Sequence, residues 1–183
     1  MKCTECGNAM TKSIGDHRYR ESGMEHVILH NVTRYECESC GAKRVNIPAI
    51  AQLHRLLAQI ISTKPARLIP SEVRFIRDHL ELSNKDFAIL MGVSETQASR
   101  WTSSEPIGVP AERFLRMLAT MGPLVLAGGA PHVALGKVKE EELVSDIRST
   151  LASLPSKDEP AKELPLRVRR NSGDWKVDHQ AAV

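Results

Sequence analysis

Residues 82–101, LSNKDFAILMGVSETQASRW, have the pattern of two short helices joined by a tight turn. Ser83 can cap the first helix, and Gly92 can end it in a left-handed conformation. Ser94 can then cap a second helix. Two helices that cross within one turn need a small residue at their closest approach, and Ala88 meets this need. The stretch therefore predicts a helix-turn-helix unit.

The second of these helices, from Glu95 to Trp101, is rich in hydrogen-bonding side chains. Ala98 and Trp101 can face a core, and the other residues are of the kinds that read base edges in a DNA major groove. An ordinary surface helix would instead carry mostly Lys and Glu. The pattern favours a DNA-reading helix, with Trp101 expected to be a core aromatic rather than a DNA contact.

The four cysteines of the chain form two C-x-x-C pairs, each followed by glycine. Glycine permits the tight backbone turn of a metal-binding knuckle, and four thiolates suit tetrahedral Zn²⁺ best, with iron as the nearest competitor. The sequence thus predicts a zinc site with the ligands Cys3, Cys6, Cys37 and Cys40.

Two other uses of these cysteines are conceivable. Redox chemistry would need a C-x-x-C at the start of a helix, whereas both pairs lie in strand and turn contexts. Unpaired structural thiols are the remaining alternative. Four cysteine ligands leave no open position for water or substrate, so we expect the zinc to be structural. For the same reason the nearby His17, His26 and His30 are not expected to be ligands.

Proline and glycine punctuation divides the chain into four segments. We expect a zinc-binding β-module at residues 1–47, a linker helix within 48–66, a helix-turn-helix domain at 67–121 and a tail at 122–183. In the module, HVILHNVTRYEC predicts a strand that faces another around residues 17–21. The chain has only two Trp, two Tyr and three Phe, which favours small units over one large core. The expected fold is α+β with two domains.

Helices are predicted at residues 48–62, 71–81, 84–91, 95–101 and 111–121. The tail has an amphipathic stripe over residues 138–154, which predicts one more helix. Beyond Pro155 the composition is rich in Lys, Glu, Asp and Pro and predicts disorder. The basic cluster LRVRR, at residues 166–170, is interpreted as a solvated patch, with phosphate contacts as the alternative.

Composition restricts the function classes. The net charge is only +3 and no segment is strongly basic, so DNA binding would depend on charges gathered on one face. No glycine-rich phosphate loop, nucleophile elbow or paired-carboxylate arrangement is present, which argues against an enzyme. No apolar run has the length of a signal peptide or a membrane span, so we expect a cytoplasmic protein without a membrane partner.

The run LSNKDFAILMGVSETQASRWTSSEPIGVPAERFLRMLA resembles the helix-turn-helix of Cro-like (XRE) repressors. Preceded by CTEC and CESCG, it makes residues 1–121 resemble MqsA-type antitoxins, also called YgiT-type zinc-finger proteins. The resemblance implies zinc on the four cysteines and base reading from SETQASRW. The tail from Gly122 onward lies outside the usual family pattern.

Within that helix, Arg100 matches the family's arginine and could read guanine O6 and N7, the alternative being a surface salt bridge to Glu105. Gln97 is the second candidate, through its amide. Thr96 stands where the family has asparagine, so a bidentate contact to adenine is not available there. Phosphate contacts are expected from Lys85, Ser94 and Ser99.

The resemblance implies a repressor that acts as the antitoxin of a type II toxin-antitoxin system, regulates its own operon and neutralises a toxin encoded by the adjacent gene. One helix-turn-helix covers few base pairs, so we expect a homodimer on a palindromic double-stranded operator. The dimer surface could come from the last helix, through Phe114, Leu115, Leu118 and Met121. It could instead come from an apolar stripe on the linker helix, which could equally pack on the zinc module or on a partner. That stripe comprises Ile50, Leu53, Leu57, Ile60 and Ile61. The alternative function is a stand-alone zinc-containing transcriptional regulator without a toxin partner.

Overall fold

The computed structural model describes residues 1–121, 145, 148–155 and 159–178. It divides into two compact units. Unit 1 comprises Met1–Leu56 together with the chain from Pro165 onward, and unit 2 comprises Leu57–Leu164. The end of the tail thus belongs with the N-terminal cysteine segment and does not form a separate extension.

Unit 1 is built on a five-stranded sheet whose central strand is β2 (Val27–Glu36). One edge of β2 pairs antiparallel with β1 (Thr11–Arg18). The other edge is shared: β3 (Lys43–Asn46) pairs antiparallel with the second half of β2, and β4 (Leu166–Asn171) pairs parallel with the first half. The last strand, β5 (Asp174–Val177), forms a hairpin with β4.

Strand β2 has a bulge at Asn31, and its side chains are buried on both sides of the bulge. The register with β1 shifts so that His30 and Asn31 lie opposite Asp16, and Asn31 adopts a φ of 65°. An extra residue reverses the side-chain alternation, so buried Val32 follows buried Leu29. The expected partner strand is present as β1, but it ends at Arg18, because residues 20–22 form a short 3₁₀ turn instead of continuing the strand.

The prediction of disorder beyond Pro155 is wrong for the strands β4 and β5. In LRVRR, Leu166 and Val168 point to the buried side of the sheet while arginines alternate with them, so the cluster is a strand rather than a solvated patch. Trp175 of β5 is 4% exposed, and its indole Nε1 donates to the carbonyl of Pro48 at 2.9 Å. The prediction of disorder was based on average composition, which does not register this alternation of buried and exposed residues.

Five helices lie close to their predicted positions: α1 (Ile50–Thr63), α2 (Pro70–His79), α3 (Asn84–Met91), α4 (Glu95–Trp101) and α5 (Val109–Met121). The apolar stripe of α1 is largely buried inside the chain, since Leu53, Leu57 and Ile61 are all 0% exposed. Of the helix predicted at 138–154, residues 148–152 are helical, and most of the rest lies outside the described residues. Among the helices described, none combines the length and apolar character needed to cross a membrane.

Unit 2 contains a buried polar network that the sequence patterns did not indicate. The ammonium of Lys64 donates to both carboxylate oxygens of Glu72, at 2.8 and 2.6 Å. Arg116 is fully buried, pairs with Glu112 at 3.0 Å and donates to the carbonyls of Ser62, Lys64 and Ala66, at 3.0, 2.7 and 2.7 Å. Burial lowers the pKa of both Lys64 and Arg116, against the opposite effect of their carboxylate partners. This network ties residues 62–69 to α2 and α5.

Candidate metal centre and nucleic-acid interface

The four predicted ligand cysteines come together in unit 1. Their sulfur atoms all lie within 4.8 Å of one another, with 3.5 Å between Cys3 and Cys40 and 3.4 Å between Cys6 and Cys37. Zinc–sulfur bonds of about 2.3 Å place tetrahedral sulfur atoms about 3.8 Å apart, so the cluster has the dimensions of a four-thiolate site. All four cysteines are free of disulfides.

Each C-x-x-C pair forms the same backbone turn. The amide of Gly7 donates to the carbonyl of Cys3 at 2.9 Å, and the amide of Gly41 donates to the carbonyl of Cys37 at 2.8 Å. The two glycines have φ values of 76° and 73°, a region that disfavours side chains. The glycine after each pair is therefore required by the turn, and the two turns present their thiols to one point.

The pKa values of the thiols are those of four sulfur atoms that could share one bound cation. Backbone amides of Cys6 and Glu5 lower the pKa of Cys3. Burial would raise the pKa of Cys37, but the amide of Cys40 and the thiol of Cys6 help to lower it to about 7. The pKa of Cys40 is raised to about 12, despite the amide of Ala42, because its protonated thiol bonds to neighbouring sulfurs. Sulfurs this close cannot all ionise by themselves, whereas a bound dication stabilises all four thiolates.

The surroundings of the cluster favour a structural role for a bound metal. Cys3 and Cys37 are buried and pack with Met10, and half-buried Tyr35 and Ala42 lie against them. Four sulfur ligands would complete a tetrahedral shell and leave no position for water. Such a site stabilises a fold rather than performing chemistry, and the donor set suits Zn²⁺.

The three nearby histidines are placed elsewhere. His17 lies 3.2 Å from Glu21, and His30 lies 2.8 Å from Asp16. His26 is buried. None belongs to the group of four possible metal-binding residues found in the part of the chain that the structure describes.

In unit 2, α3 and α4 are joined by the three-residue turn Gly92-Val93-Ser94. Ser83 caps α3 by accepting from the amide of Asp86, and Ser94 caps α4 by accepting from the amide of Gln97. Gly92 has a φ of 66°, and the amide of Val93 donates back to the carbonyl of Ala88 at 3.0 Å. This is the glycine-terminated helix end that the sequence predicts.

Two further features hold α3 and α4 together. Ala88 of α3 and Ala98 of α4 are both buried, at 2% and 0% exposure, which is consistent with a close crossing of the helices. The side-chain amide of Asn84 donates to the carbonyl of Glu95 at 3.2 Å and so links the first turns of the two helices. Trp101 is 8% exposed and lies in the core, as expected.

The predicted DNA-contacting residues are almost all accessible. Five of the six are exposed and one, Gln97, is half-buried. The exposed residues are Lys85, Ser94, Thr96, Ser99 and Arg100. Ala98 and Trp101 are buried on the same helix, so α4 has one face in the core and one face available for a ligand.

Glu105 follows α4 in the chain, and the sequence indicated it only as an alternative partner for Arg100. The pair is formed, with 3.6 Å between Arg100 Nη1 and Glu105 Oε1. The second carboxylate oxygen of Glu105 accepts from the side-chain amide of Gln97 at 3.4 Å. A spacing of three residues on a helix places Gln97 and Arg100 on one face, which is the signal that could have indicated a shared partner.

No protein-family model, curated protein or solved structure matches the chain. The geometry of the two sites, together with the resemblance of the motifs, is therefore the basis for assigning a function.

Proposed function

We propose that this protein is a sequence-specific DNA-binding transcriptional repressor whose helix α4 enters the major groove. The observation that carries the proposal is the serine-capped pair α3 and α4, which meet at a glycine turn and leave a polar face of α4 exposed. A second helix presented in this way, with hydrogen-bonding side chains on its exposed face, is the arrangement by which helix-turn-helix proteins read bases.

Arg100 and Gln97 are the proposed base readers. An arginine can donate two hydrogen bonds to guanine O6 and N7, and a glutamine amide can pair with adenine. Thr96 offers one hydroxyl and a methyl group that can contact a thymine methyl. Lys85, Ser94 and Ser99 are assigned to phosphates, which position the protein without specifying sequence.

The proposed active form is a homodimer on a palindromic operator. One α4 helix spans too few base pairs for useful specificity, and two-fold symmetry doubles the site. Both candidate dimer surfaces are largely buried within the chain, since Leu53, Leu57 and Ile61 of α1 and Leu115 and Leu118 of α5 are all buried. Each helix keeps one large apolar side chain exposed, and on α1 it is Ile50, at 49%. Phe114 of α5 is 45% exposed and is the large apolar side chain that this helix offers to a partner.

The second part of the proposal is that the protein is the antitoxin of a toxin-antitoxin pair. It is supported by the order of a four-cysteine zinc module and a helix-turn-helix unit, which resembles MqsA-type antitoxins. The zinc would fold unit 1, and unit 1 would be the part that engages the toxin. A stand-alone regulator with the same DNA-binding residues is the alternative.

DNA binding can be tested by selection from a random pool of double-stranded DNA. The wild-type protein is expected to enrich a sequence with two-fold symmetry. Arg100→Ala is expected to weaken binding to that sequence by about 1–3 kcal/mol, because a bidentate base contact is lost. Arg20→Ala is the matched control, since Arg20 is also an exposed arginine but lies in the turn between β1 and β2 of unit 1. Failure to enrich any sequence would refute the proposal, and equal losses in both variants would refute the role of Arg100.

The antitoxin assignment can be tested with the product of the adjacent gene. That product is expected to arrest growth when expressed alone and to co-purify with the tagged full-length protein. Growth should recover when both are expressed. A neighbour that neither arrests growth nor binds, in a protein that still selects an operator, would favour the stand-alone regulator.

A further inference from the structure

Glu105 contacts both proposed base readers at once. Its Oε1 faces Arg100 Nη1 at 3.6 Å, and its Oε2 accepts from Gln97 Nε2 at 3.4 Å. Each carboxylate oxygen therefore serves one of the two side chains. Arg100 and Glu105 are 55% and 46% exposed, so this cluster lies on the surface that the proposed function assigns to DNA.

The backbone fixes Glu105 in this place. The amides of Ser103, Ser104 and Glu105 all donate to the carbonyl of Arg100, at 3.1, 2.9 and 2.9 Å. These bonds wrap the loop around the C-terminal end of α4. Pro106 follows and restricts the backbone of Glu105 to extended conformations. Ile107, at 1% exposure, then anchors the loop in the core.

We propose that Glu105 is a specificity-determining residue of the α4 surface, which orients Arg100 and Gln97 toward base edges and weakens their binding to phosphate. This inference rests on the proposed function, since it concerns the same surface. It adds a residue that contacts no base itself and acts through the two that do.

The chemistry of arginine allows both effects. A guanidinium has five N–H donors, so Arg100 can stay paired with Glu105 through one nitrogen while it donates to guanine through others. A phosphate brought to the same guanidinium would lie beside the carboxylate, and two anions repel each other. Base reading is retained while non-specific phosphate binding is penalised, which increases the ratio between specific and non-specific affinity.

The test compares Glu105→Gln with wild type in the full-length protein. Both are measured on the selected operator and on a scrambled fragment of equal length, at several salt concentrations. Glu105→Gln removes the charge and keeps an oxygen that can accept from Gln97. We expect it to bind the scrambled fragment about two- to fivefold more tightly, which is the change in affinity that the energy of one exposed ion pair produces. The dependence of log affinity for that fragment on log salt should steepen by about one unit, as for one added phosphate contact.

Two further variants sharpen the comparison. Glu159→Gln removes the same charge from an exposed position outside the helices and should leave the affinity ratio unchanged. Glu105→Asp keeps the charge on a shorter side chain, so it should keep the wild-type salt dependence while losing part of the operator affinity. A salt dependence like that of Glu105→Gln in the Asp variant would overturn the electrostatic explanation.

The outcomes separate this inference from the proposed function. If wild type selects an operator and Glu105→Gln has the wild-type ratio and salt dependence, the role of Glu105 is refuted and the DNA-binding function stands. If Glu159→Gln changes the ratio as much as Glu105→Gln, the effect is one of net charge and the role of Glu105 is again refuted. If wild type binds all fragments equally, the proposed function itself fails.

Discussion

Replacing Trp175 by alanine should destabilise unit 1 strongly, although the residue lies in a segment that composition predicts to be disordered. The side chain is 4% exposed in strand β5, and its indole N–H donates to the carbonyl of Pro48 at 2.9 Å. Removing a buried Trp side chain costs about 3–5 kcal/mol, which includes the cavity left behind. A domain has a total stability of about 5–15 kcal/mol, so unit 1 would lose a large fraction of it.

Hydrogen–deuterium exchange read by mass spectrometry is the suitable assay, because it reports the two units separately. The amides of β2 (Val27–Glu36) lie in the centre of the sheet and should exchange only on unfolding of unit 1. A loss of about 3–5 kcal/mol corresponds to exchange that is about a hundred- to a few thousandfold faster. Peptides from α2 to α5 should exchange as in wild type.

Two controls isolate the contributions at this position. Trp175→Phe keeps most of the buried ring and loses the N–H donor, so about 1–3 kcal/mol should be lost. Val177→Ala lies in the same strand but is 38% exposed, and its cost should stay below about 1 kcal/mol. Unchanged exchange of β2 in Trp175→Ala would refute the reasoning, because it would mean that the C-terminal hairpin does not stabilise the sheet.

Three further predictions concern the metal, the buried ion pairs and pH. If a metal occupies the four cysteines, its chelation should unfold unit 1 and leave the amides of α2 to α5 protected, whereas loss of protection in both units would contradict a metal role confined to unit 1. Arg116→Met should cost about 3–5 kcal/mol by thermal unfolding of unit 2, because Glu112 and several carbonyls lose a buried partner; a cost below about 1 kcal/mol would show that the network is dispensable. Burial lowers the pKa of His54, whose ring bonds to the hydroxyl of Tyr19 at 2.8 Å, so the unfolded chain takes up this proton more readily. Unit 1 should therefore lose stability as pH falls below about 6.5, and His54→Gln should weaken that dependence in pH-dependent denaturation.

The helices of unit 2 were predictable because their signals are local. Ser83, Gly92 and Ser94 mark helix ends by hydrogen bonds and dihedral angles that involve neighbours within a few residues. The apolar spacing between these marks fixes which face is buried. For the same reason, α3 and α4 begin and end at the residues that the sequence indicated.

The partners of β2 were only partly predictable. The run 27–36 has the composition of a strand, but a bulge at Asn31 changes which side chains face the core, and strict alternation gives no sign of it. The parallel partner β4 lies about 140 residues along the chain from β2, since Val27 pairs with Leu166. Pairing over such a separation has no local signature, because it depends on where the intervening unit returns the chain.

The buried charges show the same limit. Lys64, Glu72, Glu112 and Arg116 each have the sequence appearance of solvated surface residues, since charged side chains are seldom buried without a partner. The two ion pairs are close in the chain, Lys64 with Glu72 and Glu112 with Arg116. What the fold adds is the burial of Arg116 against backbone carbonyls about 50 residues earlier in the chain. Glu105 was predictable in part. The sequence indicated it as a partner for Arg100, whereas its second contact, to Gln97, depends on how the loop after α4 is folded.

The sequence by itself determined the two paired cysteine motifs, the glycine turns that follow them, the helix ends and the polar face of α4. These features depend on spacings of two to four residues, over which the backbone has few choices. Only the tertiary structure decided that the C-terminal hairpin completes the sheet of the cysteine module, that four charges are buried in the helical unit, and that one carboxylate contacts both Gln97 and Arg100. Such contacts join residues that are distant in the chain or lie in an irregular loop, and their energies appear only once the whole unit has folded.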